Sequence, residues 1–301
     1  MAPKTKKIFF LSLKLIVSSA LLYIVFSRTG VTQVFSLIKG IHPYSFISAV
    51  FLYICAQFVS TVRWKLLLPE TLGMRKLFSL YLIGAFFNTV LPGLIGGDAV
   101  KAFYLYRATG KGSLSLASIF MDRYIGFVML IIICTIVFPF GYSYFHNSPV
   151  FWTFPFIVLA FIVTSFLIFG LRFGKRIQML SEFYDYFHYY RNQKGIILKA
   201  LLLSAVVQVT GFCAVYILAL GLGVDIPFLA CLVFVPLIIM FAAVPLSISG
   251  IGIREGAFVL LFGLIGIRQD VATALSLSWF LANSTGSLTG IIEYIRYRKE
   301  K

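Results

Sequence analysis

Six apolar runs, at roughly 8–26, 44–62, 115–138, 153–171, 197–222 and 271–295, are each long enough to cross a bilayer, which takes about 20 residues. Only 12% of the 301 residues are charged, where a soluble domain carries about a quarter. With a mean hydropathy of +0.97, lipid must be the solvent for most of this surface. The pattern predicts an all-α polytopic membrane protein, a single transmembrane domain over 1–301. No hydrophilic stretch is long enough for a soluble catalytic domain. The longest polar piece, Arg172 to Lys199, keeps a run of aromatics and has the size of an amphipathic helix. Lys4, Lys6 and Lys7 precede an apolar run with no small-residue cleavage site after it, which reads as a retained first helix.

Two further apolar regions are interrupted. The first, about 77–106, is broken by Leu91-Pro92-Gly93 and Gly96-Gly97; the second, about 228–267, by Pro245, Gly250 and Gly252. Proline removes a helical hydrogen bond and glycine is a weak helix former, so each region should split into two half-helices. Broken backbone at membrane depth is tolerated only where protein or a water-filled cavity satisfies it. The expectation is therefore six full spans plus two broken re-entrant hairpins, with full-length spans at the breaks left open. Charge fixes the orientation. With the N-terminus cytoplasmic, Arg28, Lys39 and Arg268 fall outside and Lys101, Arg123 and Arg254 within the membrane. The other 20 of the 26 Lys and Arg, Arg63 among them, are then cytoplasmic. That bias predicts a multi-pass protein of the cell membrane with both termini inside. It also accounts for the net charge of +16 without nucleic acid, for which no basic folded surface exists.

An offset of 153 residues relates Pro92 to Pro245, Gly97 to Gly250 and Lys101 to Arg254. It also carries 44–62 near 197–215 and 115–138 near 268–291. Each half, about 44–138 and 197–291, reads as span, broken hairpin, span. The hairpins would enter from opposite faces, an inverted repeat of the kind on which transporters are built.

In both breaks glycines precede a second half-helix, whose unpaired N–H groups and dipole favour an anion. The candidate binding residues are Asn88, Gly96, Gly97, Asp98 and Lys101 in the first, and Ser247, Gly250, Gly252, Arg254 and Glu255 in the second. Lys101 and Arg254 each lie four residues after a glycine, one turn in on the same face. Two cations and two helix ends meeting from opposite leaflets suit a phosphate. Asp98 and Glu255 balance the cations in the empty site, or carry a proton or cation during transport. Intramembrane charges usually mark function, but the same pattern suits structural ion pairs, Asp98 with Lys101 and Glu255 with Arg254. Asp122 and Arg123 form a further candidate pair, in the site or at the interface. Gln57, Gln208 and Asn283, like Asn88, are polar residues in apolar runs, of the kind that commonly joins helices.

No catalytic residue is expected. His42, His146 and His188 fall apart, in loops or at interfaces, and no metal-ligand spacing or phosphate-binding loop occurs. Cys55, Cys134, Cys213 and Cys231 sit in apolar runs and read as small hydrophobes, not as a metal site or disulfides. No cofactor is called for.

At these motifs the chain resembles the lysylphosphatidylglycerol synthase transmembrane family, the lipid-flipping membrane region of the multiple peptide resistance factor, found also as stand-alone proteins. The resemblance rests on Arg63-Trp64, on Asn88 through Lys101, on Asp122-Arg123 with Gly126, and on Pro245, Ser247, Gly250, Gly252 and Arg254-Glu255. The family often has Arg at the position of Lys101 and Glu at that of Asp122. The synthase's soluble aminoacyl-transfer domain is absent from this sequence, so the resemblance implies lipid translocation, not lysyl transfer. The expected function is a flippase-like transporter for an anionic phospholipid or a polyprenyl-phosphate-type lipid, passive or gradient-driven. A membrane enzyme or enzyme subunit acting on a lipid phosphate, and a non-transporting scaffold, remain the alternatives. Membrane lipids with anionic headgroups are the expected partners, with homo-oligomerisation left open.

Overall fold

The computed structural model describes residues 3–68, 72–90, 96–145, 148–170, 186–187, 190, 193–244, 247 and 250–299. Among them there are helices and no strands. The helices are α1 (Pro3–Thr29), α2 (Val31–Lys39), α3 (Pro43–Leu66), α4 (Met74–Val90), α5 (Gly96–Thr109) and α6 (Gly112–Val137). They continue with α7 (Thr153–Ser165), α8 (Lys194–Gly221), α9 (Phe228–Ala242), α10 (Ile253–Gly263), α11 (Gln269–Ser287) and α12 (Thr289–Lys299). The protein is an all-α polytopic membrane protein. Among the described residues three helices are long and apolar enough to cross a bilayer alone: α3, α6 with its 3-10 extension to Phe145, and α8. A fourth crossing is available if α1 and α2 count as one span, although the chain bends there by 82°. Gly30, at φ 74°, makes that bend, and α2 then packs on α11.

The centre of the bundle is the antiparallel pair α3 and α8, the most extensive helix contact among the described residues. The His42 N–H donates to the Gly221 carbonyl at one end (2.9 Å), and Arg63 reaches Ser204 near the other (2.8 Å). α11 packs on α3 and α6 on α8.

Both interrupted regions fold back on themselves. α4 and α5 run antiparallel, with Asn88 against Gly97 and Gly84 against Lys101. α9 and α10 do the same, with Ala242 against Gly250 and Phe234 against Phe262. At about 1.5 Å per residue the longest of these four arms, the 17-residue α4, reaches about 25 Å, short of a hydrocarbon core of about 30 Å. The tips themselves, with Pro92 and Pro245, lie outside the described residues, as do His146, His188 and most of 172–192. α9 is apolar on every side and mostly buried between Ala230 and Met240, as expected of a helix enclosed by its neighbours. Pro236 sits within it, a position that membrane helices tolerate when neighbours enclose it.

Two of the six runs expected to span are divided. The run at 153–171 is the 13-residue α7 followed by a π-helical turn at Phe166–Gly170. The run at 271–295 breaks at Leu288 into α11 and α12. α12 instead presses its backbone onto α4: a Cβ at Gly290 would lie 2.1 Å from the Leu82 carbonyl oxygen.

Candidate functional site

The tightest backbone contact in the first hairpin sets its chemistry. Gly97, in the first turn of α5, faces Gly84 of α4 so closely that a Cβ at 97 would lie 1.9 Å from the Gly84 carbonyl oxygen. Beside it, the Asn88 Oδ1 accepts the Gly97 N–H at 2.9 Å, satisfying one of the donors that a helix start leaves open. One turn further, Lys101 is delivered into the bundle. Its Nζ sits 4.6 Å from the centroid of the Trp64 ring and 4.2 Å from that of Tyr81, and 3.8 Å from Asp122 Oδ2. Aromatic faces attract a desolvated ammonium strongly.

Asp122, on α6, is the hub. Its Oδ1 accepts from Arg63 Nε at 2.8 Å and its Oδ2 from the Tyr81 hydroxyl at 3.0 Å. Arg63 also donates to Ser204 Oγ at 2.8 Å. Gly126, one turn after Asp122, leaves room for the guanidinium: a Cβ there would lie 3.2 Å from Arg63 Nη1. Trp64 donates through Nε1 to Ser118 Oγ at 3.3 Å. Arg63, Lys101 and Asp122 are at most 5% exposed, and the network ties together α3, α4, α5, α6 and α8. A second pair lies beside it, Arg123 Nε to Asp98 Oδ2 at 2.8 Å, with the Arg123 side chain 54% exposed.

The ion pairs are thus not those expected from neighbours in sequence. Asp98 pairs with Arg123, not Lys101; Asp122 pairs with Arg63 and Lys101, not Arg123. Consecutive residues on a helix point about 100° apart, so Asp122 and Arg123 serve different neighbours. Arg63, expected in a cytoplasmic loop, is a buried member of the network. Together Arg63, Lys101 and Arg123 face Asp98 and Asp122, which among the described residues leaves one net positive charge.

A family model described as the lysylphosphatidylglycerol synthase TM region matches residues 11–288. The chain belongs to this family. Among similar proteins, the UPF0104 membrane protein MJ1595 of Methanocaldococcus jannaschii is 24% identical, with 87% of each chain covered. A UPF0104 membrane protein of Methanothermobacter thermautotrophicus is 22% identical over 90% of this chain and 88% of its own. The UPF0104 membrane protein PH1989 of Pyrococcus horikoshii is 21% identical over 88% and 90%. No solved structure matches the chain.

In this member of the lysylphosphatidylglycerol synthase transmembrane family the second hairpin is built differently from the first. Gly250 and Gly252 both adopt positive φ, 75° and 85°, which side chains resist. Gly252 also abuts α1, where a Cβ would lie 2.6 Å from that of Leu21. The start of α10 is filled by its own carboxylate: Glu255 Oε2 accepts the Gly252 N–H at 2.6 Å. Its Oε1 takes Ser276 Oγ at 3.1 Å and Arg254 Nη2 at 2.6 Å. The expected pair of Glu255 with Arg254 is therefore present, completely buried on the Glu255 side. Arg254 also lies 4.7 Å from the centre of the Phe280 ring. This network carries no net charge. Ser247 Oγ, buried at the turn, has no hydrogen-bond partner among the described residues.

Lys101 and Arg254 belong to separate networks, α5 packing on α4 and α6, and α10 on α9, α11 and α1. Of the helix-joining amides, Gln208 does join helices, donating to the Gly126 carbonyl at 3.1 Å. Tyr81, Ser204 and Ser276 were not singled out by the sequence; their roles depend on which helices meet.

Proposed function

We propose that this protein moves an anionic lipid between the leaflets of the cell membrane, without covalent chemistry, and that the first hairpin holds the headgroup. The observation that carries the reading is the charge imbalance among the described residues: three cations against two carboxylates around the α5 start. An unbalanced intramembrane charge is costly and calls for a counter-ion. An anionic phospholipid or polyprenyl-phosphate-type lipid supplies one. Arg123 is the contact residue, since its side chain is half exposed while Arg63 and Lys101 are enclosed. Asp98 then acts as the stand-in anion of the empty site.

The reading extends to architecture. At the offset of 153 residues α3 to α6 correspond to α8 to α11. Under that exchange α3 on α11 becomes α8 on α6, and α4 on α5 becomes α9 on α10, contacts that all occur. We take both hairpins as re-entrant, from opposite faces, with both termini cytoplasmic. Midplane sites between inverted repeats are the transporter arrangement that this supports. The second hairpin, neutral and self-capped, serves as the closed counterpart.

The test is a scramblase assay. The protein is reconstituted into liposomes containing nitrobenzoxadiazole-labelled phosphatidylglycerol, a labelled polyprenyl phosphate, or labelled phosphatidylcholine as control. Dithionite then bleaches the outer leaflet. Faster loss of protected fluorescence for an anionic lipid than for phosphatidylcholine is expected, and slowing by Arg123→Gln. No movement of any anionic lipid, with or without a proton gradient, would sink the reading.

A further inference from the structure

A cavity of about 330 Å³ lies away from both charged networks, between the C-terminal part of α1, the middle of α10 and the start of α11. That volume is at the lower end of what ligand sites occupy. Its shape follows from two glycines one turn apart, Gly252 capping the start of α10 and Gly256 within it. At Gly252 the helices touch, since a Cβ there would meet Leu21 and the Ser18 carbonyl of α1. At Gly256 nothing lies within 4 Å of the Cβ position. α1 and α10 therefore part like a wedge, closed toward the Arg254–Glu255 pair and opening toward the end of α1. The walls are Ile24 and Val25 on one side and Val259 and Leu260 on the other.

The mouth is polar. Arg28, in the last turn of α1, and Gln269, the first residue of α11, line it. Arg28 is exposed and has no carboxylate partner among the described residues. The nearest acid in sequence to that mouth, Asp270, is engaged by Arg268. An apolar slot of about 330 Å³ that ends at an exposed guanidinium with no carboxylate partner among the described residues has the polarity of a phospholipid. We infer that this wedge is a docking site for one acyl chain of an anionic phospholipid, in the leaflet that the C-terminal end of α1 reaches, with Arg28 and Gln269 on the phosphate. The site does not rest on the translocation reading. Its occupant would fill the seam between α1 and the second hairpin, so that lipid and hairpin position are linked.

The test uses the full chain in nanodiscs carrying trace phosphatidylglycerol or phosphatidylcholine with the same diazirine-bearing acyl chain. Adducts are mapped by mass spectrometry after irradiation. In the unaltered protein, adducts on Ile24–Val25 and Val259–Leu260 should form about threefold more with phosphatidylglycerol, the modest preference that one exposed ionic contact supports. Arg28→Gln should equalise the two lipids. Gly256→Leu, at a position with free space, should reduce groove adducts of both lipids severalfold. Adducts on Phe156, an exposed residue of α7, should stay constant and report ordinary surrounding lipid. Equal labelling by the two lipids in the unaltered protein overturns the site, as does groove labelling undiminished by Gly256→Leu. Arg28→Gln carries the decision alone if the glycine variant fails to assemble. None of these readouts depends on transport, so a failed scramblase assay and a failed groove remain separate results.

Discussion

Gly97 and Gly84 bring the backbones of α5 and α4 into direct contact: a Cβ on Gly97 would lie 1.9 Å from the Gly84 carbonyl oxygen and 2.6 Å from the Asn88 backbone nitrogen. Two of the three nearest obstructing atoms, the Gly84 oxygen and the Asn88 nitrogen, are backbone and cannot swing aside. Gly97→Ala should therefore open the hairpin and withdraw Lys101 from between Trp64 and Tyr81. Overpacking costs about 1–3 kcal/mol in ordinary cores, and a backbone obstacle puts this case at or above the top of that range. Thermal unfolding followed by size-exclusion fluorescence reads the effect. A Gly97→Ala protein with unchanged Tm would show that the hairpin is not closed at this contact.

Among the described residues Asp122 is the one carboxylate that serves Arg63, Lys101 and Tyr81. Asp122→Asn leaves two buried cations with one neutral acceptor. Breaking a buried pair by removing one partner costs about 3–5 kcal/mol, enough to abolish accumulation of a marginally stable protein. The double change Arg63→Gln with Asp122→Asn should recover part of the loss, because only Lys101 then lacks its counter-charge. Yield and Tm of the singles and the double form a cycle. An Asp122→Asn protein as stable as the parent would mean that the network is not desolvated.

Much of this architecture is legible in the sequence, for a physical reason. Apolar length, glycine and proline act locally, so spans and breaks can be placed without knowing what they touch. The spacing of Gly97 from Lys101, both within α5, likewise fixes their shared face; Gly250, at φ 75°, precedes the helix that carries Arg254, so the same spacing fixes no face there. Pairing is different. Arg63 sits at the end of an apolar run, where the excess of Lys and Arg in loops assigns it to the cytoplasm. Its burial depends on Gly126 and Ser204 arriving from two other helices. Asp98 finds Arg123 because α5 packs on α6, and nothing within either helix announces that. Leu288 breaks a run that hydropathy reads as continuous, since α12 is held by Gly290 against α4 and by the bond of Ser79 to Glu293.

Arg123 separates stability from function. Its side chain is half exposed and its pair with Asp98 lies in the first turn of α5, where the helix start favours a carboxylate even without a partner. Arg123→Gln should cost about 1 kcal/mol of stability or less, as partly exposed pairs do. It should slow translocation of an anionic lipid about tenfold, the value of one charge-assisted contact to a phosphate. The measurement pairs Tm with the dithionite rate. Normal transport by a folded Arg123→Gln protein would remove Arg123 from the headgroup site.

The second hairpin makes the opposite prediction. Arg254 gives its guanidinium to Glu255 and Ser276, and Glu255 in turn caps the start of α10 through the Gly252 N–H. Arg254→Gln strands a fully buried carboxylate, though two donors remain on it, so a loss toward the lower end of about 3–5 kcal/mol is expected. Glu255→Gln keeps an acceptor for the Gly252 N–H but leaves Arg254 unneutralised. The double change to Gln at both positions removes both charges while retaining the cap, and should be more stable than either single variant. Lipid binding by the double variant, measured by native mass spectrometry with phosphatidylglycerol, should match the parent if this pair is structural. Loss of lipid binding in a stable double variant would instead place the phosphate at Arg254, and the headgroup would then lie between the two hairpins and not at the first alone.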